Sequence, residues 1–186
     1  MKTKSILFAI AIIATVISAN AQEAGKFRGG LDFGYTIPKG GGGIMAALEF
    51  KYNLKDNMNV GLRFEDAFMA KELGETAAKI SGNTAYLGTF DYYLNSGTSN
   101  FAPFVGAGAG YYQQANLAVT ENQSGVAVDG KFGGLLRTGF EYKRFRLAAT
   151  YNLVPASKID GTTLKVANSY FSISAGFYLF GGKWKK

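Results

Sequence analysis

The last part of the chain has the clearest alternation of apolar and polar positions. Asn168–Phe180 reads NSYFSISAGFYLF, and every second residue from Phe171 onward is apolar. The residues between them, such as Ser172 and Tyr178, are small or carry a hydroxyl group. Successive side chains of a strand point to opposite faces of a sheet, so this period of two predicts a strand with one apolar face. Because it ends in aromatic residues near the end of the chain, we expect it to close a sheet onto its first strand.

Seven other segments alternate in the same way and are long enough for a tilted strand to cross a bilayer, which takes about 9–11 residues. The pattern predicts an all-β fold, an eight-stranded antiparallel up-and-down transmembrane β-barrel. The predicted strands are Phe27–Ile37, Ile44–Leu54, Val60–Phe68, Thr84–Leu94, Phe101–Gln114, Phe132–Tyr142, Phe145–Leu153 and Tyr170–Phe180.

The predicted connections alternate between short and long, which is typical of membrane barrels. Short turns are predicted at Lys55–Asn57, Asn95–Asn100 and Lys143–Arg144, and long loops at 67–83, 115–131 and 154–169. The first connection, with Gly40–Gly43, is the exception and reads as a flexible tight turn. Met69–Ile80, inside the first long loop, is compatible with a short helix or a mobile loop.

Side-chain size decides which face of these strands points inward. One face is rich in large residues such as Phe33, Tyr86 and Leu147, and the other in small ones such as Gly34, Gly106 and Ser174. A soluble barrel would show the same alternation with its apolar face inside. The interior of an eight-stranded barrel is just wide enough for side chains to fill. The small face therefore fits the interior, and the large aromatic face is predicted to contact lipid.

Residues 1–21 do not belong to the barrel. Lys2 and Lys4 precede an apolar stretch at 6–17, and Ala19-Asn20-Ala21 matches a signal-peptidase site. We therefore expect a cleaved signal peptide over 1–21, a barrel domain over 22–186, and export to the outer membrane.

The composition excludes several kinds of chemistry. The chain has no cysteine and no histidine, so it can form no disulfide, and it lacks the commonest general base and transition-metal ligand. The net charge is +7. An exported protein without a basic groove is not expected to bind nucleic acid.

Charged residues also occur on the predicted inner face, five of each sign. Uncompensated charge in a narrow lumen would be costly, so an equal number of each sign predicts mutual pairing that plugs the lumen. The predicted lumen charge network consists of Arg28, Asp32, Glu49, Lys51, Arg63, Glu65, Asp91, Arg137, Glu141 and Arg146.

The excess of positive charge lies at the end of the barrel that holds the short turns and both chain ends. We expect this rim to be periplasmic and to contact anionic lipid head groups. The predicted rim anchors are Lys143, Arg144, Lys183, Trp184, Lys185 and Lys186.

The signal peptide, the eight strands, Pro103–Tyr112 (PFVGAGAGYY) and Ile173–Phe180 (ISAGFYLF) together resemble the small outer-membrane barrels of Gram-negative bacteria, the OmpA/OmpX-type, porin-like family. The resemblance covers about Gly25 to Phe180. It implies no cofactor, and insertion by an assembly machinery that reads a C-terminal strand ending in an aromatic residue. This chain departs from that pattern because Gly181–Lys186 (GGKWKK) follows Phe180.

Three classes of function remain open on the sequence. The first is a monomeric, plugged barrel with a structural or surface-interaction role, namely envelope integrity, adhesion or binding of an extracellular protein or surface ligand at the long loops. Leu117 and Val119 are expected to face Val126 and Val128 in a protruding hairpin with an open edge. The second class is a narrow channel for small solutes. The third, a lipid-modifying enzyme, is disfavoured because catalytic barrels of this membrane rely on a histidine, so we expect no enzyme.

Overall fold

The structure of the chain is a computed structural model that describes residues 24–38, 40–72, 78–94, 99–120, 123–158, 165–166 and 168–180. The predicted signal peptide and Lys183–Lys186 lie outside the described residues. The strands are β1 (Phe27–Pro38), β2 (Gly41–Lys55), β3 (Met58–Glu72), β4 (Ala78–Tyr93), β5 (Phe101–Thr120), β6 (Gln123–Tyr142), β7 (Phe145–Leu153), β8 (Ser157–Lys158), β9 (Lys165–Val166) and β10 (Tyr170–Phe180).

Eight of these strands form one closed antiparallel barrel in the order β1-β10-β7-β6-β5-β4-β3-β2. The ring closes where β10 pairs with β1, with Tyr35 opposite Ile173 and Asp32 opposite Gly176. The predicted fold class and the predicted pairing of the last strand with the first are therefore confirmed. The short strands β8 and β9 form a separate pair.

The two faces of the barrel differ as their sizes predict. Large apolar side chains point outward and are well exposed, for example Phe33 at 63% and Leu62 at 60%. Their neighbours along each strand are buried in the lumen, as Asp32 and Arg63 are. An exposed apolar belt around a polar interior is the arrangement of a barrel that sits in lipid.

Strands β3–β6 extend furthest beyond their predicted ends, all of them on the loop side. β3 and β4 stay paired up to Glu72 and Ala78, so the prediction of a helix or loop over Met69–Ile80 is wrong for 69–72 and 78–80. β5 and β6 stay paired up to Thr120 and Gln123. The alternation of large apolar residues fades where lipid contact ends, but hydrogen bonding between the strands does not depend on it.

The two short turns that the structure describes in full, at Lys55–Asn57 and Lys143–Arg144, are compact, as predicted, whereas residues 95–98 of the predicted turn Asn95–Asn100 lie outside the described residues. Lys143 and Arg144 join β6 to β7, and Lys143 has a positive φ of 56°. On the opposite side, Gly40 has a φ of 75°, which suits glycine because it has no Cβ. The glycines that follow it belong to β2 and are paired with β3, so the flexible connection expected over Gly40–Gly43 is shorter than predicted. No helix in the described part of the chain is long and apolar enough to cross a membrane.

Candidate functional site in the lumen and the protruding sheet

All ten residues of the lumen charge network lie inside the barrel with at most 6% of their surface exposed. They come from β1, β2, β3, β4, β6 and β7. They point inward because each occupies one of the alternate strand positions whose side chains face the lumen. The structure brings them into one band of ion pairs nearer the short turns than the loops. A buried charge is tolerated when it is paired and hydrogen-bonded, and this band provides both.

Glu49 is the centre of the band. Its Oε1 accepts hydrogen bonds from Arg137 Nη2 at 2.6 Å and from Thr89 Oγ1 at 2.9 Å. Its Oε2 accepts from Arg146 Nη1 at 2.8 Å and lies 3.5 Å from Arg63 Nη1. A fourth cation, the ammonium of Lys51 on the same strand, lies 3.8 Å from Oε2. One carboxylate therefore links cations from four strands.

Asp91 forms a second link across the lumen. Its Oδ1 accepts a hydrogen bond from Arg137 Nε at 2.7 Å, and its Oδ2 accepts one from Lys51 Nζ at 2.5 Å. Arg137 thus bridges Asp91 and Glu49, and Lys51 is close to the same two carboxylates. Arginine suits this position because its guanidinium has several donors in a fixed plane.

The remaining charges extend the band in two directions. Towards the short turns, Arg28 Nη2 donates to Glu141 Oε2 at 2.8 Å, and the Arg28 guanidinium lies 3.7 Å from the ring centre of Tyr178. Towards the loops, Arg63 Nη1 donates to Asp32 and Arg63 Nε donates to Glu65 at 3.0 Å.

Glycines of β5 provide the space that the band needs. A Cβ at Gly106 would lie 2.8 Å from the carbonyl oxygen of Phe90, which is too close, and 3.2 Å from Cγ of Arg137, which is a tight contact. At Gly108 a Cβ would lie 3.2 Å from Cγ of Leu135. The alternating glycines therefore let large side chains of the facing strands fill the lumen, and they do not form a nucleotide-binding loop.

Two apolar layers in the lumen adjoin the charged band and are not predicted from the sequence. On the loop side, one buried cluster in the lumen contains Met69, Ala85, Leu87, Tyr112, Leu135, Val154 and Tyr170. On the turn side, another contains Tyr93, Ala102, Phe104 and Ala148. These layers could have been predicted from large apolar residues at inward-facing positions of the strands, such as Leu135 and Phe104.

Tyrosine hydroxyls connect these layers to the charges. Tyr93 donates to Glu141 Oε1 at 2.6 Å, and Tyr170 donates to Glu65 Oε1 at 2.8 Å. Asn83 in turn donates to the Tyr170 hydroxyl at 2.9 Å. The tyrosine rings therefore cover the band while their hydroxyl groups satisfy its outermost carboxylates.

Of the predicted rim anchors, the structure describes Lys143 and Arg144. Both are exposed at the turn between β6 and β7. Arg144 Nη1 donates to the carbonyl oxygen of Leu179 at 3.2 Å, and the carbonyl oxygen of Arg144 accepts from the Tyr178 amide at 2.8 Å. Arg144 thus holds the end of β10, a contact that the sequence did not predict.

Opposite this rim, β3–β6 protrude as a four-stranded sheet. β5 and β6 are 20 residues long, about twice what a bilayer requires. Leu117 pairs with Val126 as predicted, but Val119 lies opposite Ser124, and Val128 opposite Ala115. The pairing of β6 with β7 starts at Gly134, so no described strand pairs with the other edge of β6 over residues 123–133. We call residues 123–128 the free edge, because no described strand pairs with them on that side, whereas Lys131 already contacts the carbonyl oxygen of Ala156.

No group of three or more aspartate, glutamate, histidine or cysteine side chains that could hold a metal ion occurs among the described residues. The carboxylates of the lumen instead contact arginine and lysine.

Comparison of the sequence with protein-family models and with curated proteins gives no match. Solved structures do match the fold. Neisserial surface protein A aligns with a TM-score of 0.54 at 12% identity, over 83% of this chain and 96% of its own. The outer membrane protein OprG from Pseudomonas aeruginosa aligns with a TM-score of 0.50 at 19% identity, over 91% of this chain and 100% of its own. At such identities the likeness concerns the fold, and the predicted resemblance to small outer-membrane barrels is confirmed at that level.

Proposed function

We propose that this protein is a closed outer-membrane barrel that carries an interaction surface, the protruding sheet of β3–β6, outside the cell. The observation that carries this proposal is the continuous pairing of β5 with β6 up to Thr120 and Gln123, well beyond the membrane-spanning part. A sheet that stays paired over this length holds a binding surface away from the membrane.

The free edge supports an interaction role for this sheet. Proteins usually protect an edge strand with charges, proline or a bulge. Residues 123–128 (QSGVAV) contain no charged residue and no proline, and their pairing with β5 has no bulge. Such an edge can accept an extended segment of another polypeptide as an additional strand.

The packing of the lumen favours this role over that of a channel. Glu49 and Asp91 hold cations from facing strands together, and the two apolar layers pack against the band. A solute would have to separate several buried ion pairs to pass. We therefore propose that the barrel does not conduct in its resting state.

The same packing speaks against an enzyme. Each carboxylate of the band is within 3.0 Å of a basic side chain, and the chain contains no histidine. A general base needs a lone pair within reach of substrate, whereas these lone pairs point at cations inside the barrel. We propose a protein without catalytic activity, which acts as a monomer in lipid and is inserted by the barrel-assembly machinery.

The proposed role is tested in cells that carry the protein in their outer membrane. In one strain, residues 116–127 are replaced by an Asn-Gly turn, which shortens the hairpin but leaves Ala115 opposite Val128. We expect attachment to surfaces to fall to the level of cells without the protein, while the barrel still resists unfolding by detergent in the cold.

A second readout separates the structural from the interaction role. If only complete loss of the barrel, and not the shortened hairpin, makes cells sensitive to detergent, then the barrel itself supports the envelope. Equal attachment and equal detergent resistance in all three strains would refute both roles.

A further inference from the structure

The outer face of the barrel has a pocket of about 300 Å³ that spans β3, β4 and β5. We call it the outer trough. It is separate from the lumen, since the side chains that shape it point away from the barrel axis. Its lining residues on this face are Asp66, Phe68, Gly82, Thr84, Gln113 and Ala115.

Small residues form the floor of the outer trough. Gly82 lies opposite Phe68 on one side and opposite Ala115 on the other. A Cβ built at Gly82 would find its nearest neighbours, the Cβ and the carbonyl oxygen of Ala115, at 3.9 and 4.0 Å. The backbone therefore has room for a side chain here, and its absence leaves a depression beside the exposed ring of Phe68.

Polar groups line the turn-side end of the outer trough in one row across the strands. Asp66 lies opposite Thr84, and Thr84 lies opposite Gln113. The Thr84 hydroxyl donates to Asp66 Oδ1 at 2.6 Å, which fixes the carboxylate beside the floor. The row offers a carboxylate, a hydroxyl and an amide, and thus both donors and acceptors.

The position of this polar row indicates which part of the membrane the outer trough contacts. Directly below it, toward the short turns, lies a row of outward-facing aromatic residues, Phe64, Tyr86, Tyr111 and Phe132, which are paired across β3–β6. Aromatic rows of this kind mark the boundary between hydrocarbon and head groups. The outer trough is therefore continuous with the lipid-facing belt and lies at the level of the head groups.

We propose that the outer trough binds a neutral sugar ring in the head group of a membrane glycolipid. The hydroxyl groups of the sugar would bond to Asp66, Thr84 and Gln113, and its apolar C–H face would pack on the ring of Phe68. The Asp66 carboxylate disfavours a phosphate at the same place, because like charges repel. The lipid chains would lie along the aromatic row, which is why a lipid-borne sugar fits better than a free one.

The test uses the full barrel in nanodiscs of phosphatidylcholine, to which monoglucosyl diacylglycerol is added in steps. Backbone amide resonances report binding at each residue. We expect saturable shifts at Asp66, Gly82 and Gln113, no comparable shifts with diacylglycerol, and at most weak shifts with free glucose. Equal shifts with diacylglycerol would refute a sugar site, and equal affinity for free glucose would refute a lipid-borne ligand.

The decisive variant fills the outer trough with a larger side chain. Gly82→Leu should weaken glycolipid binding at least about tenfold, equivalent to about 1.4 kcal/mol. Gly88→Leu is the matched control, because Gly88 is also an outward-facing glycine of β4 with room for a Cβ, its nearest neighbour being the carbonyl oxygen of Ala109 at 3.8 Å. Ala115→Leu fills the outer trough from the next strand if Gly82→Leu fails to fold. Unchanged binding in a folded filled variant would overturn the proposal.

This inference stands apart from the interaction role of the hairpin. The outer trough ends at Ala115, below the segment 116–127 that the attachment experiment removes. The attachment experiment and the glycolipid-binding experiment can therefore give positive or negative results independently of each other.

Discussion

Glu49 on β2 and Arg137 on β6 meet across the full width of the barrel, with Oε1 and Nη2 2.6 Å apart. The two strands stand opposite each other in the ring, four positions apart in the strand order. This one ion pair therefore spans the lumen, and Asp91 braces it from β4 through its own contact with Arg137. A barrel bridged in this way is closed at its centre by side chains of its own wall.

The first prediction concerns the centre of this band. Glu49→Gln removes the charge that faces Arg137, Arg146, Arg63 and Lys51, and leaves an excess of buried positive charge. Removing one partner of a buried ion pair costs about 3–5 kcal/mol. We expect the free energy of unfolding in micelles, measured by urea titration, to fall by this amount.

The matched control for this variant is Asp129→Asn. Asp129 pairs with Lys131 at 3.1 Å, but its side chain is 48% exposed, and exposed pairs contribute about 0–1 kcal/mol. If Glu49→Gln were as stable as Asp129→Asn, the buried pairing would not matter for stability.

The second prediction compares two adjacent leucines of β6. Leu135 is 1% exposed in the loop-side apolar layer, whereas Leu136 is 56% exposed on the lipid-facing side. Leu135→Ala should lower the free energy of unfolding by about 2–5 kcal/mol, because it leaves a cavity above the ion pairs. Leu136→Ala should cost clearly less, since lipid chains refill the space. Equal losses in the two variants would show that the lumen is not packed as described.

The third prediction addresses the glycines of β5. Gly106→Val would push a side chain against Asp91 and Arg137, so we expect it to prevent formation of the heat-resistant folded band on a denaturing gel. Gly88→Val places the same side chain on the lipid-facing surface, where there is room, and should fold normally. A normally folded Gly106→Val barrel would mean that the glycines are not needed to fit the band.

Some features of the structure can be predicted from the sequence, and others cannot. The period of two assigned Asp32 to the lumen and Phe33 to the lipid side, because parity along a strand decides which face a residue takes. The alternation along a strand does not predict which residue Glu49 contacts across the lumen, since that contact depends on how far each strand is shifted against the next. Leu135 was missed because size was used to separate the faces, and a large apolar residue at an inward position breaks that rule.

The ends of the strands show a second limit. Phe68 is the last large apolar residue on the outer face of β3, which places the predicted end of the strand there, although pairing continues to Glu72. Lipid contact, which produces the apolar alternation, stops before the hydrogen bonds do. The outer trough could not be predicted for a different reason: Asp66 and Gln113 belong to different strands and come to lie on either side of Thr84 only in the folded sheet.

The fourth prediction concerns the tail that follows β10. Gly181–Lys186 places three lysines and Trp184 after the aromatic end of the strand, and we expect this tail to hold the periplasmic rim against head groups. Deleting it should reduce the yield of inserted barrel in vesicles that contain anionic lipid, with little effect in neutral vesicles. Equal insertion in both kinds of vesicle would remove any role for the tail.

The most direct test of the closed barrel is the current that it passes when the purified full-length protein is reconstituted in a planar lipid bilayer. We expect no steady conductance for the wild type, because the Glu49–Arg137 bridge and the side chains packed around it fill the lumen. Reproducible open-channel steps in proportion to the amount of inserted protein would contradict this expectation, and would make the barrel a channel.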